Sequence, residues 1–273
     1  MTAKTVAGAD LSTAILLTTT GDGLLDDIVG IYAEDDAATE ILVIVDNPDV
    51  DIAALGERLG QSAKVRIIRN ETRIGLTRSL NKAIALTECA ILIRNDDDDR
   101  PEPGRAGEIV RFFGANPECD LVFSFARGLD LPTGSTWTIE GPTTDAEIKR
   151  ALARRNFIVH SSLAFRRAST ARIGHYNEAF RFAQDYELYL RAIRNGLTFG
   201  AIPRILVTRA YHGGSITVSK RKRQILYSFA ARLIHHAEQE GPVTPWRTIA
   251  AYLRLLAIPG WARSARRRLG HGS

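Results

Sequence analysis

The stretch Cys89-Ala-Ile-Leu-Ile-Arg-Asn-Asp-Asp-Asp-Asp-Arg-Pro101 decides the fold. Its apolar run, residues 89–93, is bounded by polar residues and reads as a strand buried on both faces, as in a parallel sheet. The four acids Asp96, Asp97, Asp98 and Asp99 then follow at its carboxyl end. In open α/β sheets, ligands bind just beyond the carboxyl ends of the strands. Two carboxylates about 4 Å apart repel by about 1 kcal/mol in water and about 4 kcal/mol near a protein surface. A strand end that collects four acids therefore calls for a counter-charge, and hard oxygen ligands suit Mg²⁺ or Mn²⁺. The competing reading is a solvated acidic turn before Pro101.

Outward from this stretch the chain alternates. Residues 14–18, 41–45 and 65–68 read as earlier strands, and residues 121–125 as a fifth. Leu24, Leu25, Ile28, Val29 and Tyr32 fall on one helical face, and Ile52, Leu55 and Leu59 suggest a short helix. Leu76, Leu80, Ala83 and Ile84 mark another. Pro103 suits a first helical turn, with Ile109, Val110 and Phe113 turned inward. This alternation predicts an α/β fold with a doubly wound, mostly parallel sheet flanked by helices.

The 273 residues, 45% apolar and 25% charged, have ordinary globular composition. Cys89 and Cys119 offer neither metal-ligand spacing nor a disulfide framework, so a reducing cytosol is expected. No signal peptide is expected from the small and polar residues 1–10. No stretch reaches the roughly 18 apolar residues of a membrane span. The net charge of +5 is uneven, with acids concentrated up to Asp99 and bases after Arg204.

Nucleotide sites sort by what is missing. No G-x-G-x-x-G follows the first strand and no G-x-x-x-x-G-K-[ST] occurs, which argues against a dinucleotide fold and a P-loop. Acids instead follow the second strand (Asp46) and the fourth. Between them lies Asn70-Glu-Thr-Arg-Ile-Gly-Leu-Thr-Arg-Ser-Leu-Asn81. There Gly75 would let backbone approach a ligand, and Arg73 and Arg78 would meet phosphate. A glycine-bearing loop with surface arginines is the plain alternative.

Five segments, in order, resemble those of family 2 glycosyltransferases of the GT-A fold, over about residues 13–217. Asn70-x4-Gly75-Leu76-x4-Asn81-Lys-Ala-Ile is similar to the family's N-x-G-L … L-N-x-G-I segment. Residues 91–101 resemble Y-I-A-R-M-D-A-D-D-x-x-x-P, with Asp96 and Asp98 as the two acids of the D-x-D and Asp99 next. His160-Ser-Ser-Leu-Ala-Phe-Arg resembles H-P-x-x-x-F-R. Phe182-Ala-Gln-Asp185-Tyr-Glu-Leu-Tyr-Leu-Arg resembles x-A-E-D-Y-D-L-W-L-R, with Gln184 in place of the glutamate. Tyr211-His212-Gly-Gly-Ser215-Ile-Thr resembles Y-R-x-H-x-x-S-x-S. The first strand ends in Thr18-Thr-Thr-Gly21 rather than Pro-x-Tyr-Asn, and no Q-x-x-R-W follows, which argues against a processive synthase.

The resemblance implies an inverting, non-processive glycosyltransferase using a nucleotide-diphosphate sugar. Asp98, supported by Asp96, would hold Mn²⁺ or Mg²⁺ against the diphosphate, with His212 as a further ligand or phosphate contact. Thr18, Asp46, Asn70, Arg73, Gly75, Arg78, Asp96 and Asp97 would form the donor side, with Asp46 toward base or ribose. Asp185 would be the general base, although an acid there also suits a helix N-terminus. His160 would face the acceptor or simply end a strand. The acceptor implied is a glycan or lipid-linked hydroxyl in surface polysaccharide or glycolipid synthesis. No nucleic acid is expected.

The domain reading is a catalytic unit over residues 1–218 and a helical, basic extension over residues 219–273. Lys220-Arg-Lys-Arg223 opens a stretch with Ile225, Leu226, Phe229, Leu233 and Ile234. Trp246, Ile249, Tyr252, Leu253, Leu256 and Trp261 follow, then Arg263 and Arg266-Arg-Arg268. Such a mixture suits a helix lying on an anionic lipid surface, at the inner face of the plasma membrane. An apolar stripe packed on the domain is the equal alternative. A sugar-nucleotide pyrophosphorylase would want a Lys/Arg-bearing glycine loop after the first strand, which residues 18–23 lack. A non-catalytic nucleotide- or nucleic-acid-binding protein would have no use for the pair Asp98 and Asp185.

Overall fold

The computed structural model describes residues 11–60, 62–211, 221–238, 250 and 253. Its first half runs β1 (Thr13–Thr19), α1 (Leu25–Ala33), β2 (Glu40–Val45), α2 (Ile52–Leu59), β3 (Val65–Arg69), α3 (Leu76–Ala85) and β4 (Ile91–Asp96). The four strands lie parallel in the order β3-β2-β1-β4. Every β1 residue is buried, because helices cover both faces. Ala14 and Leu16 join the layer beneath α3, whereas Ile15 and Leu17 join the layer beneath α1 and α2. That is the two-residue alternation of a strand expressed across a three-layer sandwich.

β4 extends past the apolar run expected for it. Arg94 and Asn95 are strand residues with no exposure, so the acids begin inside the strand. The chain then forms β5 (Asp99–Pro101), α4 (Arg105–Ala115), β6 (Leu121–Asp130), β7 (Ser135–Ile139) and α5 (Asp145–Leu152). In α4, Ile109 and Phe113 are buried as expected, and so is Arg105. A short 3-10 turn, His160–Ser162, leads into β8 (Leu163–Arg166), followed by α6 (Arg167–Ala171), α7 (Gln184–Arg194), β9 (Phe199–Tyr211) and α8 (Arg221–Glu238).

The second half of the sheet is not uniformly parallel. β8 inserts antiparallel between β4 and β6, β9 runs parallel to β6, and β5 and β7 attach antiparallel at the margins. An apolar run reports burial but carries no direction, so periodicity alone could not place β8.

α8 packs against the elements that precede it. Ala231 is 1% exposed in the core shared with α3, α5 and α7, and Tyr227 meets Phe180 and Phe182 edge-on at 5.7 and 5.5 Å. Arg194 Nε pairs with Glu238 at the far end of α8. Trp246, Trp261 and the arginines at 263 and 266–268 lie outside the described residues. No helix among the described residues is long and apolar enough to cross a membrane.

Candidate active site

Strand order reverses between β1 and β4, since the chain winds outward through β2 and β3 before returning. Crevices form at such switch points, outside the carboxyl ends of the strands. Thr18 pairs with Asp96 across this point. A cleft of about 810 Å³ opens there, lined by Thr18, Asp46, Gly75, the four acids, Asn156, His160, Asp185 and Arg209 among others.

The acidic turn is held from several directions. Asp96, Asp98 and Asp99 each bring a carboxylate oxygen within 4.8 Å of the others. Arg94 Nη2 donates to Asp96 Oδ1. Ser161 Oγ lies 2.7 Å from Asp96 Oδ2 and 2.5 Å from Asp99 Oδ2, so its single proton serves only one of them. Burial, then the charges of Asp96 and Asp98, push the Asp99 carboxyl up to about 7. Burial, opposed by a hydrogen bond from Thr19, pushes Asp97 up to about 6. Burial acts the same way on Asp96, but the Arg94 guanidinium, His160, the Ser161 hydroxyl and Arg209 together outweigh it and hold the carboxyl at about 2. Crowded oxygen donors whose mutual repulsion raises proton affinity suit a hard divalent cation. Asp99 thus joins the expected pair Asp96 and Asp98 in a cluster that could hold such an ion.

Behind the turn stands a buried network that no local pattern announced. Arg105 Nη1 donates to Tyr32 Oη at 2.6 Å and to Asn95 Oδ1 at 2.7 Å, and Arg105 Nη2 donates to the Arg94 carbonyl at 3.1 Å. Asn95 Nδ2 in turn donates to the carbonyls of Asp96 and Asp99, both at 2.7 Å. In front, the Leu24 N–H donates to the Asp97 carbonyl at 2.7 Å. Gly23 makes that approach possible: its φ is +100° and a Cβ would stand 2.5 Å from the Asp97 oxygen. Gly23→Ala is therefore expected to lower unfolding stability by about 1–3 kcal/mol, read from the urea midpoint. A midpoint equal to the native protein's would show that this contact does not shape the turn.

The residues expected on the donor side separate into two groups. Thr18, Asp46, Gly75, Asp96 and Asp97 line the cleft. Asp46 is already occupied by the loop after β3, accepting from Asn70 Nδ2 at 2.9 Å and from the N–H groups of Ile74 and Gly75 at 2.8 Å. Asn70 is 2% exposed and sits behind Asp46, bonded to Ser79 and Lys82. Arg73 reaches Asn47 at 3.1 Å, and Arg78 pairs with Glu178 at 3.2 Å. Neither arginine lines the cleft. His212 lies outside the described residues. Arg209, which sequence reasoning missed, does line it, with its guanidinium 5.0 Å from the centre of the Tyr211 ring.

Asp185 lies in the first turn of α7 and is 9% exposed. Asn156 Nδ2 donates to its Oδ2 at 2.7 Å. His160 Nε2 is 2.8 Å from Tyr176 Oη. Burial and the Arg94 charge hold His160 down at about 4, so it is neutral at pH 7. From α8, Gln224 and Ser228 line the cleft, and Gln224 Oε1 accepts from the Ala183 N–H at 3.3 Å.

The glycosyl transferase family 2 model matches residues 24–174, more than half of the chain. The chain belongs to that family. The uncharacterized glycosyltransferase MJ1057 of Methanocaldococcus jannaschii is 25% identical to this enzyme over 71% of its chain and 68% of the relative. The UDP-Gal:alpha-D-GlcNAc-diphosphoundecaprenol beta-1,3-galactosyltransferase of Escherichia coli is 23% identical, covering 76% and 74%. Succinoglycan biosynthesis protein ExoU of Rhizobium meliloti is 28% identical, covering 79% and 66%. Among solved structures, residues 1–349 of S. aureus TarS in complex with UDP-GlcNAc superpose with a TM-score of 0.67 at 13% identity, covering 87% and 69%. That likeness establishes the GT-A type of fold expected from the sequence.

The cleft of this glycosyltransferase thus brings together a cluster of hard oxygen donors and an isolated, hydrogen-bonded carboxylate. Such an arrangement can hold a cation against an anionic leaving group and accept a proton elsewhere in the same cavity.

Proposed function

We propose that the enzyme transfers a sugar, with inversion, from a nucleotide-diphosphate donor to a hydroxyl of a glycan or lipid-linked acceptor. The observation that carries this reading is the presence of the acidic triad and Asp185 in one cleft. Asp96, Asp98 and Asp99 would hold Mn²⁺ or Mg²⁺, which when bound supplies positive charge for the departing diphosphate. Thr18, Gly75 and Asp97 shape the donor side, and Asp46 acts by fixing the 70–75 loop. Arg209 adds a positive group facing the acids, and we assign His212 a phosphate or metal contact. The acceptor oxygen bonds to the anomeric carbon. The bond from that carbon to the diphosphate oxygen breaks with its electron pair on the diphosphate, and the acceptor proton passes to Asp185. The E. coli relative's name specifies UDP-Gal and a diphosphoundecaprenol-linked acceptor, and TarS was solved with UDP and UDP-GlcNAc. Both favour a uridine-diphosphate sugar and a lipid-linked acceptor. The basic, tryptophan-bearing residues beyond 238 would hold the enzyme at the anionic inner face of the membrane.

A panel of nucleotide sugars, scored by Mn²⁺-dependent hydrolysis, tests the donor class. Hydrolysis of none of them, with or without metal, would remove this reading. Mn²⁺ alone should also stabilise the fold, because it relieves repulsion within the triad. A cation at 100 times its Kd contributes about 2.7 kcal/mol, visible as a rise in Tm that Asp98→Asn abolishes. An equal rise in that variant would place the ion elsewhere.

A further inference from the structure

We infer that Asn156 reads the acceptor: one end of its amide orients Asp185, and the other accepts a hydrogen bond from a second polar group beside the reacting hydroxyl. This deepens the proposed role of Asp185 and rests on it.

Asn156 precedes a firmly anchored segment. Ile158 and Val159 are 5% and 4% exposed, and Phe157 packs edge-on against Phe123 at 5.4 Å. The amide therefore sits on a fixed wall of the cleft. Its orientation follows from chemistry. Nδ2 donates to Asp185 Oδ2 at 2.7 Å, whereas the flipped amide would set an acceptor oxygen against a carboxylate. Oδ1 is then buried with no hydrogen-bond partner. Among the described residues, it is the one such orphaned atom that belongs to a residue lining the cleft.

Buried carbonyl oxygens without a donor are rare and unfavourable. On a cleft wall, the missing donor is what a ligand would bring. Since Nδ2 and Oδ1 are two ends of one amide, a group donating to Oδ1 stands beside the group that loses its proton to Asp185. A sugar with two neighbouring hydroxyls, or a hydroxyl next to an acetamido N–H, presents that pair. During transfer the first oxygen bonds to the anomeric carbon of the nucleotide-diphosphate sugar, the diphosphate leaves with its bonding electrons, and Asp185 takes the proton. The second group only holds position. A site built to bond a substrate hydroxyl rejects the analogue lacking it.

The test is a cycle of two changes with the full chain, using p-nitrophenyl glycosides as acceptors and starting from the one transferred fastest. Replacing the neighbouring hydroxyl by hydrogen should lower the native kcat/KM about tenfold or more, the loss of one hydrogen bond to a polar site. Asn156→Ala should slow transfer to the intact acceptor, yet the same deoxy replacement should then change kcat/KM by less than about twofold. An unchanged deoxy penalty in the variant would overturn the inference, because a structural role alone predicts that result. A native enzyme indifferent to every single deoxy replacement would overturn it as well. If Asn156→Ala fails to fold, Asn156→Ser serves the same cycle. Normal transfer by Asp185→Asn would remove the base instead, while a deoxy penalty lost in the Asn156 variant would still mark the acceptor contact.

Discussion

Replacing Asp185 by Asn is expected to lower sugar transfer by a factor of about 10² or more while leaving donor and metal binding intact. The size follows from removing a positioned general base. The fold should tolerate the change, since the new amide oxygen can still accept from Asn156 Nδ2 as Asp185 Oδ2 does at 2.7 Å. Initial rates measure the first effect and titration calorimetry with donor and Mn²⁺ the second. Normal turnover would sink the assignment. Weakened donor binding would move Asp185 to the donor side of the cleft.

The second large effect is expected at Asp98. Asp98→Asn should abolish Mn²⁺-dependent donor binding, because the triad loses one of its three carboxyl groups. The metal-free protein should be no less stable, and this makes the prediction two-sided. The Asp98 charge is one of the causes that push Asp97 and Asp99 upward, so its removal relieves repulsion within a half-buried turn. Calorimetry that finds donor affinity unchanged would exclude the triad as the metal site. Loss of binding together with a collapsed fold would show that Asp98 acts on structure instead.

The parallel half of the sheet was legible because its signal is local. Four apolar runs separated by helical periodicities require helices on both faces, and a strand end bearing four acids marks the open edge. Asp185 was legible only through resemblance to known sequences, since an acid in a first helical turn has a sufficient reason in the helix dipole. The same resemblance could not say that Arg78 turns to Glu178 or that Asn70 lies behind Asp46. Those are choices among hydrogen-bonding partners, and a loop sequence offers several.

What the sequence determined by itself is the βα order, the buried strand β4 and the acids at its carboxyl end, because burial and charge are properties of neighbouring residues. Tertiary structure alone decided that β8 would run antiparallel against β4 and bring Ser161 to Asp96 across 65 positions of chain. It also decided that β9 would deliver Arg209 to the cleft, that Asn156 would meet Asp185, and that Arg105 would be buried beneath the acidic turn. Each of these is a contact between distant segments, fixed by which strands close the sheet, and no periodicity within a segment encodes its partner.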